Sequence, residues 1–195
     1  MSSKSELRDL ALHRRDATGP AYRSAASAAI AERIAPLIAA AAPASIAGYV
    51  AMRSEVDPAP ILAAAHRRGI AIGLPAILPG AELAFRRYEP GAPLASGGFG
   101  TVVPAATAGT LDPDLIIVPV VGFDRAGARL GYGKGHYDRT IAALHARRLR
   151  PPLVGIAFAL QEVDTIPAEP HDARLDVVVT ETEILDFRER GADRR

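Results

Sequence analysis

The sequence has no cysteine and no tryptophan, and only 5% of its 195 residues are aromatic. The absence of cysteine excludes disulfide bonds, thiolate metal sites and cysteine nucleophiles. Basic and acidic residues are nearly balanced, 23 against 22, so the chain has little excess charge of either sign. A dedicated nucleic-acid-binding protein usually presents a strongly basic face, and this balance argues against a nucleic-acid partner.

Long uninterrupted apolar runs are also missing. The N-terminal segment MSSKSELRDL has no apolar core of the kind found in secretory signals. The longest apolar region, around 34–50, is interrupted by Pro36, Pro43 and Gly48, which argues against a membrane-spanning helix. Apolar residues still make up 49% of the chain, enough for a packed core. We therefore expect a cytoplasmic protein without a membrane partner.

Short apolar segments alternate with helix-forming segments along the chain. Predicted strands cover 45–52, 70–75, 82–88, 115–123, 153–158 and 175–181. Predicted helices cover 4–16, 21–40, 58–68 and the stretch from about 136 to about 150. This order predicts an α/β fold with an open, mostly parallel sheet flanked by helices.

Some boundaries follow from single residues and from composition. Pro36 is expected to bend or stop the second helix, because proline cannot donate a backbone hydrogen bond. The stretch 89–100, rich in glycine, proline and serine, is predicted to be a loop. No repeat or long linker divides the chain, so we expect a single domain over 1–186 and a frayed tail over 187–195.

The segment RLGYGKGHYDR, residues 129–139, places three glycines around a lysine and just before a predicted helix. It does not match the phosphate-loop pattern, because Lys134 is followed by Gly135 and not by serine or threonine. It does not match the GxGxxG dinucleotide pattern either, because His136 stands where the last glycine is required. Both common nucleotide-binding motifs are therefore excluded.

The physical features that those motifs use are nevertheless present. Glycines allow positive φ angles and a close approach to a ligand, and successive N–H groups at a helix N-terminus attract anions. Lys134 and Arg139 add positive charge. Asp138 lies off the apolar stripe that starts at Tyr137, where it could hold Mg²⁺ beside phosphates. A turn without a ligand, with Asp138 complementing the helix dipole, is the alternative.

Other polar residues give weaker signals. The five histidines show no metal-ligand spacing. Glu55 follows a predicted strand, and Asp172 lies in a turn before another. A carboxylate in either place can bind a polar ligand or can simply be a solvated turn residue, and the residues alone do not decide between the two.

The order of these segments resembles the 5-formyltetrahydrofolate cyclo-ligase (methenyltetrahydrofolate synthetase) family. The resemblance runs nearly from end to end through KSELR, YVAMRSEVDPAPIL, GLPAI, DLIIVPVVGFDRAGARLGYGKGHYDR and LVGIAFALQEVDTIPAEPHDARLDVVVTE. It implies an open α/β fold similar to ribose-phosphate isomerase and CoA-transferase domains. It also implies an enzyme that uses ATP and Mg²⁺ to convert 5-formyltetrahydrofolate into 5,10-methenyltetrahydrofolate, releasing ADP and phosphate through a phosphorylated formyl intermediate.

The resemblance also implies roles for individual positions. ATP is expected to contact Lys4, Ser5, Glu6, Leu7, Arg8, Arg129, Leu130, Gly131, Tyr132, Gly133, Lys134, Gly135, His136 and Tyr137. Folate is expected to contact Val50, Glu55, Tyr132, Gly133, Lys134, Gly135 and His136. Mg²⁺ is expected at Asp138 and Asp172. The expected catalytic residues are Lys134 and Arg139.

Two positions depart from the family pattern. His136 stands where relatives often have a tyrosine, and Val103 in FGTVVP replaces an acidic residue. Two other classes of protein stay open: a module that binds folate or nucleotide without turnover, and an isomerase or transferase of the same fold. The expectation from the sequence is a monomeric enzyme whose partners are two small molecules, folate and ATP.

Overall fold

A computed structural model describes residues 2–98 and 100–188 of the chain. Its α-helices in these residues are α1 (Lys4–Asp16), α2 (Pro20–Ala41), α3 (Ala59–Arg67) and α4 (His136–Ala146). The strands of the first half are β1 (Ser45–Ala47), β2 (Ala71–Ile77), β3 (Leu83–Tyr88), β4 (Ala95–Gly98) and β5 (Thr101–Val103). The later strands are β6 (Leu115–Pro119), β7 (Gly122–Phe123), β8 (Arg129–Leu130), β9 (Leu153–Ile156), β10 (Val177–Val179) and β11 (Ile184–Asp186).

Seven strands form one sheet in the order β11-β10-β9-β6-β1-β2-β3. The five inner strands are parallel to one another, and both edge strands, β3 and β11, pair antiparallel with their neighbours. The predicted open, mostly parallel sheet flanked by helices is therefore confirmed. The pairs β4–β5 and β7–β8 are separate two-stranded hairpins.

The sheet is buried on both faces, which explains the continuous apolar run of β6. Ile117 faces the layer formed by α2 and α3. Its neighbours Ile116 and Val118 face the opposite layer, to which α4 contributes. Side chains alternate between the two faces of a strand, so a strand covered on both sides needs apolar residues at every position.

The helix α1 packs outside this sandwich. Its Leu7 and Ala11 contact the β7–β8 hairpin, where they join a third apolar cluster that includes Val121 and Leu130. A Cβ built on Gly122 of β7 would lie only 3.3 Å from the Cβ of Ala11. The close fit of α1 against this hairpin positions the helix beside the glycine-rich segment that follows β8.

The prediction that Pro36 bends or stops the second helix was wrong as to the stop, because α2 continues to Ala41. Ile34 and Ile38, on either side of Pro36, are both buried. Packing on both turns compensates for the hydrogen bond that proline cannot make. By length and composition alone, α2 is one described helix that could cross a membrane, and the core helix of a folded domain meets the same two criteria.

Several predicted strands are shorter in the structure. The segment 45–52 is a strand only to Ala47, and 115–123 divides into β6 and β7. The segments 153–158 and 175–181 are likewise strands only over β9 and β10. After β1, β6 and β9 the chain leaves the sheet at the carboxyl end of a parallel strand, and buried residues such as Tyr49, Val120 and Phe158 continue into the loop.

The prediction of a loop over 89–100 was wrong in part, because Ala95–Gly98 is β4 and pairs with β5. Its side chains are small and mostly exposed, so the pairing depends on backbone hydrogen bonds that composition does not reveal. At the other end, the backbone N–H of Phe187 donates to the carbonyl of Asp176 at 2.8 Å. The rest of the predicted tail, 189–195, lies outside the described residues.

Candidate active site

The glycine-rich segment connects β8 to α4 and adopts backbone angles that favour glycine. Gly133 has φ 85° and Gly135 has φ 65°, both in the left-handed region. Gly135 is also the N-cap residue of α4. The N-terminus of α4, with its free N–H groups and partial positive charge, therefore opens directly onto this loop.

Segments that follow three parallel strands meet around the loop. Ser54, which follows β1, and Tyr132, in the loop after β6 to β8, are joined through Arg15 of α1. Asp138, at the start of α4, accepts a hydrogen bond at 3.1 Å from the backbone N–H of Ala173, which lies between β9 and β10. Ligands bind open α/β sheets at the carboxyl ends of the strands, and this edge is such a place.

The helix α1 brings basic residues to the loop. Nε of Arg8 donates to the carbonyl oxygen of Gly131 at 2.7 Å. Its guanidinium carbon lies 3.6 Å from the position that a Cβ on Gly133 would take. The helix begins with a capping box in which Glu6 and Ser3 satisfy each other's backbone N–H groups. The carboxylate of Glu6 is therefore engaged in starting the helix.

Three of the residues predicted to contact ATP point into the protein. The side chains of Leu7 and Leu130 are buried in the cluster beneath α1. Tyr137 packs against the core on the α4 side, as its spacing from Ile141 predicts. The backbone N–H of Leu7 donates to Ser3, and the carbonyl of Leu130 accepts from Val121, whereas Ser5 is exposed at the surface.

The two carboxylates predicted to bind Mg²⁺ each have a basic partner. Oδ1 of Asp138 lies 2.8 Å from Nη2 of Arg129, and Oδ2 of Asp172 lies 2.6 Å from Nζ of Lys4. Burial raises the pKa of Asp172, but hydrogen bonds from Lys4 and from the backbone N–H of Glu169, with the charge of Lys4, outweigh it. The pKa of Asp172 is therefore below its usual value.

The donor set at this place fits Mg²⁺, which prefers carboxylate oxygens together with phosphate oxygens. Asp138 bonds the backbone of Ala173, so it lies next to the residue that follows Asp172 in the chain. Ligand atoms of Glu169, His171 and Asp172 also lie within 4.8 Å of one another. An exposed imidazole is a poor ligand for Mg²⁺, so the pair of aspartates remains the better candidate.

The predicted catalytic residues lie on the open side of the loop. Lys134 is exposed, and no described residue hydrogen-bonds or pairs with its Nζ. Nη2 of Arg139 donates to the carbonyl oxygen of Lys134 at 2.5 Å, so Arg139 braces the loop. Nδ1 of His136 lies 2.6 Å from the carbonyl oxygen of Ala81, and this bond ties the loop to the turn before β3.

The residues predicted to contact folate lie after β1. Val50 is exposed, whereas Glu55 is buried with only 7% of its surface accessible. Oε2 of Glu55 accepts a hydrogen bond at 2.9 Å from the backbone N–H of Met52. Burial raises the pKa of Glu55, although Met52, the Tyr132 hydroxyl and the charge of Arg15 act in the opposite direction. Glu55 is a buried carboxylate with unused acceptor capacity, not a solvated turn residue.

Arg15, which is 1% exposed, is a site residue that was not predicted from the sequence. Its Nε donates to Oγ of Ser54 at 3.0 Å, and its Nη2 donates to the hydroxyl of Tyr132 at 2.8 Å. A signal was available, because Leu7, Ala11 and Arg15 are spaced four residues apart on one face of α1. An arginine that continues an apolar stripe is a candidate for a buried charge with a specific partner.

A surface cavity of about 640 Å³ lies elsewhere, along β2 and β3, and its lining includes His66, Arg87, Tyr88 and Pro104. None of the predicted site residues lines it. The basic side chains, the paired carboxylates and the glycine-rich loop all lie at the other place, so volume alone does not identify the site.

Comparison with known proteins shows the family to which this chain is similar. Residues 1–181 match the 5-formyltetrahydrofolate cyclo-ligase family. A 5-formyltetrahydrofolate cyclo-ligase of Mycolicibacterium smegmatis is 32% identical, over 91% of this chain and 93% of its own. The cyclo-ligase of Escherichia coli K12 is 30% identical, over 73% of this chain and 81% of its own.

Solved structures give the same result. The structure of 5,10-methenyltetrahydrofolate synthetase from Aquifex aeolicus has a TM-score of 0.80 and 30% identity, covering 95% of this chain and 93% of its own. The synthetase from Mycoplasma pneumoniae has a TM-score of 0.74 and 26% identity, covering 92% and 99%. The chain is therefore an enzyme that belongs to the 5-formyltetrahydrofolate cyclo-ligase family.

Proposed function

We propose that this enzyme converts 5-formyltetrahydrofolate into 5,10-methenyltetrahydrofolate with consumption of ATP and a requirement for Mg²⁺. The observation that carries the proposal is the meeting of α1, the glycine-rich loop and the carboxylates Asp138 and Asp172 at one edge of the sheet. Cations, free backbone N–H groups and oxygen ligands are the groups that a metal–nucleotide complex needs.

The reaction proceeds in two steps in this proposal. The formyl oxygen attacks the γ-phosphorus of ATP, the bond from that phosphorus to the ADP oxygen breaks, and ADP leaves. N10 of the folate then attacks the activated formyl carbon and loses its proton. The carbon–oxygen bond breaks, and phosphate leaves with the former formyl oxygen. Phosphorylation makes this oxygen a good leaving group, which it is not in a formamide.

The residues of the loop serve the first step mainly through position and charge. Lys134 has no competing partner among the described residues, so its ammonium group is free to neutralise the phosphoryl group in transfer. Arg139 holds the loop backbone through the carbonyl of Lys134. Arg8 of α1 contacts the loop, Lys4 of the same helix pairs with Asp172, and both cations suit the remaining phosphates.

Asp138 and Asp172 would hold Mg²⁺, which when bound supplies positive charge next to the phosphates. Oxygens of the same two carboxylates pair with Arg129 and Lys4. Metal binding therefore involves an exchange of cations at these carboxylates. Release from Asp172 would leave Lys4 available to the nucleotide.

The folate end of the site is the region of Val50 and Glu55. The carboxylate of Glu55 can accept hydrogen bonds from the adjacent N–H groups of an amino-pyrimidinone ring. Tyr132 belongs both to the loop and to the surroundings of Glu55, so it lies where the two substrates would meet. A monomeric state, a cytoplasmic location and the absence of nucleic-acid and membrane partners stay predictions.

The direct test is a spectrophotometric assay of the purified protein with 5-formyltetrahydrofolate, ATP and Mg²⁺. The conjugated methenyl product absorbs where the substrate does not, so we expect absorbance to rise only when all three are present. A rise without ATP contradicts the proposal and favours an isomerase or transferase. A flat trace with measurable binding of folate or ATP identifies a binding module without turnover.

A further inference from the structure

Arg15 connects three parts of the site from a buried position. It belongs to the last turn of α1, yet Nε bonds to Ser54 after β1 and Nη2 bonds to Tyr132 in the glycine-rich loop. Ser54 in turn donates to a carboxylate oxygen of Asp16. The guanidinium is therefore held firmly in one orientation by side chains from different segments.

The third nitrogen of this guanidinium has no partner. In residues 2–98 and 100–188, two buried side-chain polar atoms lack a hydrogen bond, Nη1 of Arg15 and the hydroxyl oxygen of Tyr137. Buried polar atoms are almost always paired in native proteins, because an unpaired one loses its hydrogen bonds to water without compensation. An unpaired N–H on a buried cation points to an acceptor that a ligand supplies.

Both unpaired atoms belong to residues that surround Glu55. The charge of Arg15 acts on the pKa of Glu55, and the charge of Glu55 acts on the pKa of Tyr137. The ring of Tyr132 lies over the guanidinium of Arg15, with 5.8 Å between Cζ and the ring centroid. Tyr132 is itself 38% exposed, so the side chain that covers the guanidinium lies between Arg15 and the surface.

The pteridine ring of a folate presents a matching edge, with two neighbouring donors, the 2-amino group and N3–H, followed by one acceptor, the 4-oxo oxygen. We propose that Arg15 is a specificity-determining residue that donates from Nη1 to the 4-oxo oxygen, while Glu55 accepts from the two donors. This inference rests on the proposed function, since it names a contact to the folate of that reaction. It adds a donor that recognises the oxo group and rejects an amino group in its place.

The test compares two ligands that differ at that position. Dissociation constants are measured by calorimetry for 5-formyltetrahydrofolate and for its 4-amino-4-deoxy counterpart, in which a donor replaces the acceptor. The measured quantity is the ratio of the two constants in each protein. Every variant retains Glu55, so the comparison of ratios tests the change at position 15.

Arg15→Met, which keeps an unbranched apolar stem but removes the guanidinium, should reduce the preference for the oxo compound by about tenfold to a hundredfold, the loss expected for one hydrogen bond to a charged donor. Arg15→Lys is the second variant, in case the methionine protein does not fold. A lysine has a single nitrogen and cannot donate to Ser54, Tyr132 and a ligand in the geometry of a guanidinium, so this variant should also have a reduced preference for the oxo compound. Arg14→Met, at the exposed neighbouring position of α1, removes a guanidinium outside the site and should leave the ratio unchanged.

An equal loss of affinity for both compounds in a folded Arg15 variant contradicts the proposal, because it is the result expected of a purely structural arginine. Failure of this inference is distinguishable from failure of the proposed function. If the wild-type protein forms the methenyl product, but the ratio of dissociation constants in the Arg15 variants equals that of the wild type, only this inference is overturned. A wild-type protein that binds neither pteridine overturns both.

Discussion

Glu55 carries a carboxylate in a place where a negative charge is costly. Its surface is 7% accessible, and one of its oxygens accepts from the backbone of Met52. Burial disfavours the ionised form and raises the pKa of Glu55 above its ordinary value near 4.5. A fold that keeps a buried acid next to Arg15 and Tyr132 has a group that titrates at a higher pH than surface glutamates.

The first prediction concerns pH. If ionised Glu55 accepts from the pteridine, kcat/KM for folate should fall as the pH decreases, and the fall should begin above pH 4.5 because the pKa of Glu55 is raised. Glu55→Gln should lower kcat/KM at neutral pH by about 10- to 100-fold and abolish this acidic limb. The measurement is a pH profile with folate varied and ATP saturating.

The exposed residue Glu82 gives a matched control. Glu82→Gln should reproduce the profile of the wild type. An acidic limb that persists unchanged in the Glu55 variant would show that another group titrates.

Lys134 differs from the buried Glu55, because its side chain is exposed and has no partner among the residues that the structure describes. Its removal leaves no buried group unpaired and no cavity. Any effect of its loss on turnover therefore reports on chemistry rather than on the fold.

We predict that Lys134→Ala lowers kcat about 100-fold, as expected when one preorganised charge next to a transition state is lost. The free energy of unfolding, measured by urea denaturation, should change by less than about 0.5 kcal/mol. Arg67→Ala, at an exposed position of α3, is the control for loss of a surface charge and should affect neither quantity. A matched loss of stability and activity in the Lys134 variant argues for a structural role.

At the scale of elements, the junction between the glycine-rich loop and α4 depends on backbone conformation. Gly135 caps α4 with φ 65°, and a Cβ at this position would lie 2.9 Å from Nη1 of Arg139. Gly131 is different, because its φ is not in the positive range and a Cβ there would meet nothing within 4 Å. The two glycines of one loop therefore tolerate a side chain to different degrees.

Gly135→Ala should reduce the free energy of unfolding by about 1–2 kcal/mol, the usual cost of a left-handed conformation for a residue with a Cβ. Gly131→Ala should change it by less than about 0.5 kcal/mol. The measurement is the free energy of unfolding of both variants and of the wild type, obtained by chemical denaturation. Equal stabilities of the two variants would mean that the loop adjusts freely and that the angle at Gly135 is not required.

At the scale of the whole molecule, the sheet brings distant parts of the chain to one edge. Lys4 and Asp172 are 168 positions apart and form an ion pair at 2.6 Å. Asp138 joins the same region through Arg129 and Ala173. A ligand that binds to this edge contacts α1, the loop, α4 and the segment before β10, so its binding should stabilise the fold as a unit.

We predict that ATP with Mg²⁺, at 100 times its dissociation constant, raises the free energy of unfolding by about 2.7 kcal/mol. In the Asp138→Asn variant, this ligand-induced gain should be smaller by about 1.4 kcal/mol for each tenfold loss of affinity for the metal–nucleotide complex. The asparagine oxygen can still accept the hydrogen bond from the backbone N–H of Ala173. Unfolding is followed with and without ligand, so a change in the ligand-free baseline cancels. Asp164→Asn, an exposed carboxylate, should keep the full gain; an undiminished gain in the Asp138 variant would remove Asp138 from the metal site.

Much of the architecture follows from local pattern. The continuous apolar run of β6 requires burial on both faces, and alternation of such runs with helical segments indicates a mostly parallel sheet. The glycines, Lys134 and Asp138 also mark a candidate anion and metal site before any contact is known. These features depend on neighbours in the chain, which is why they can be read from the order of residues.

Other features depend on contacts between distant residues. The pairing of β4 with β5 could not be predicted from composition. The continuation of α2 beyond Pro36 depends on the packing of Ile34 and Ile38 in the core. Arg15 meets Ser54 and Tyr132 across 39 and 117 positions, and only the docking of α1 on the β7–β8 hairpin decides those partners. The sequence by itself determined the layers of the fold and the residue types of the site. The tertiary structure decided which charges are buried, paired or left free, because burial and pairing depend on distances that local propensity does not contain.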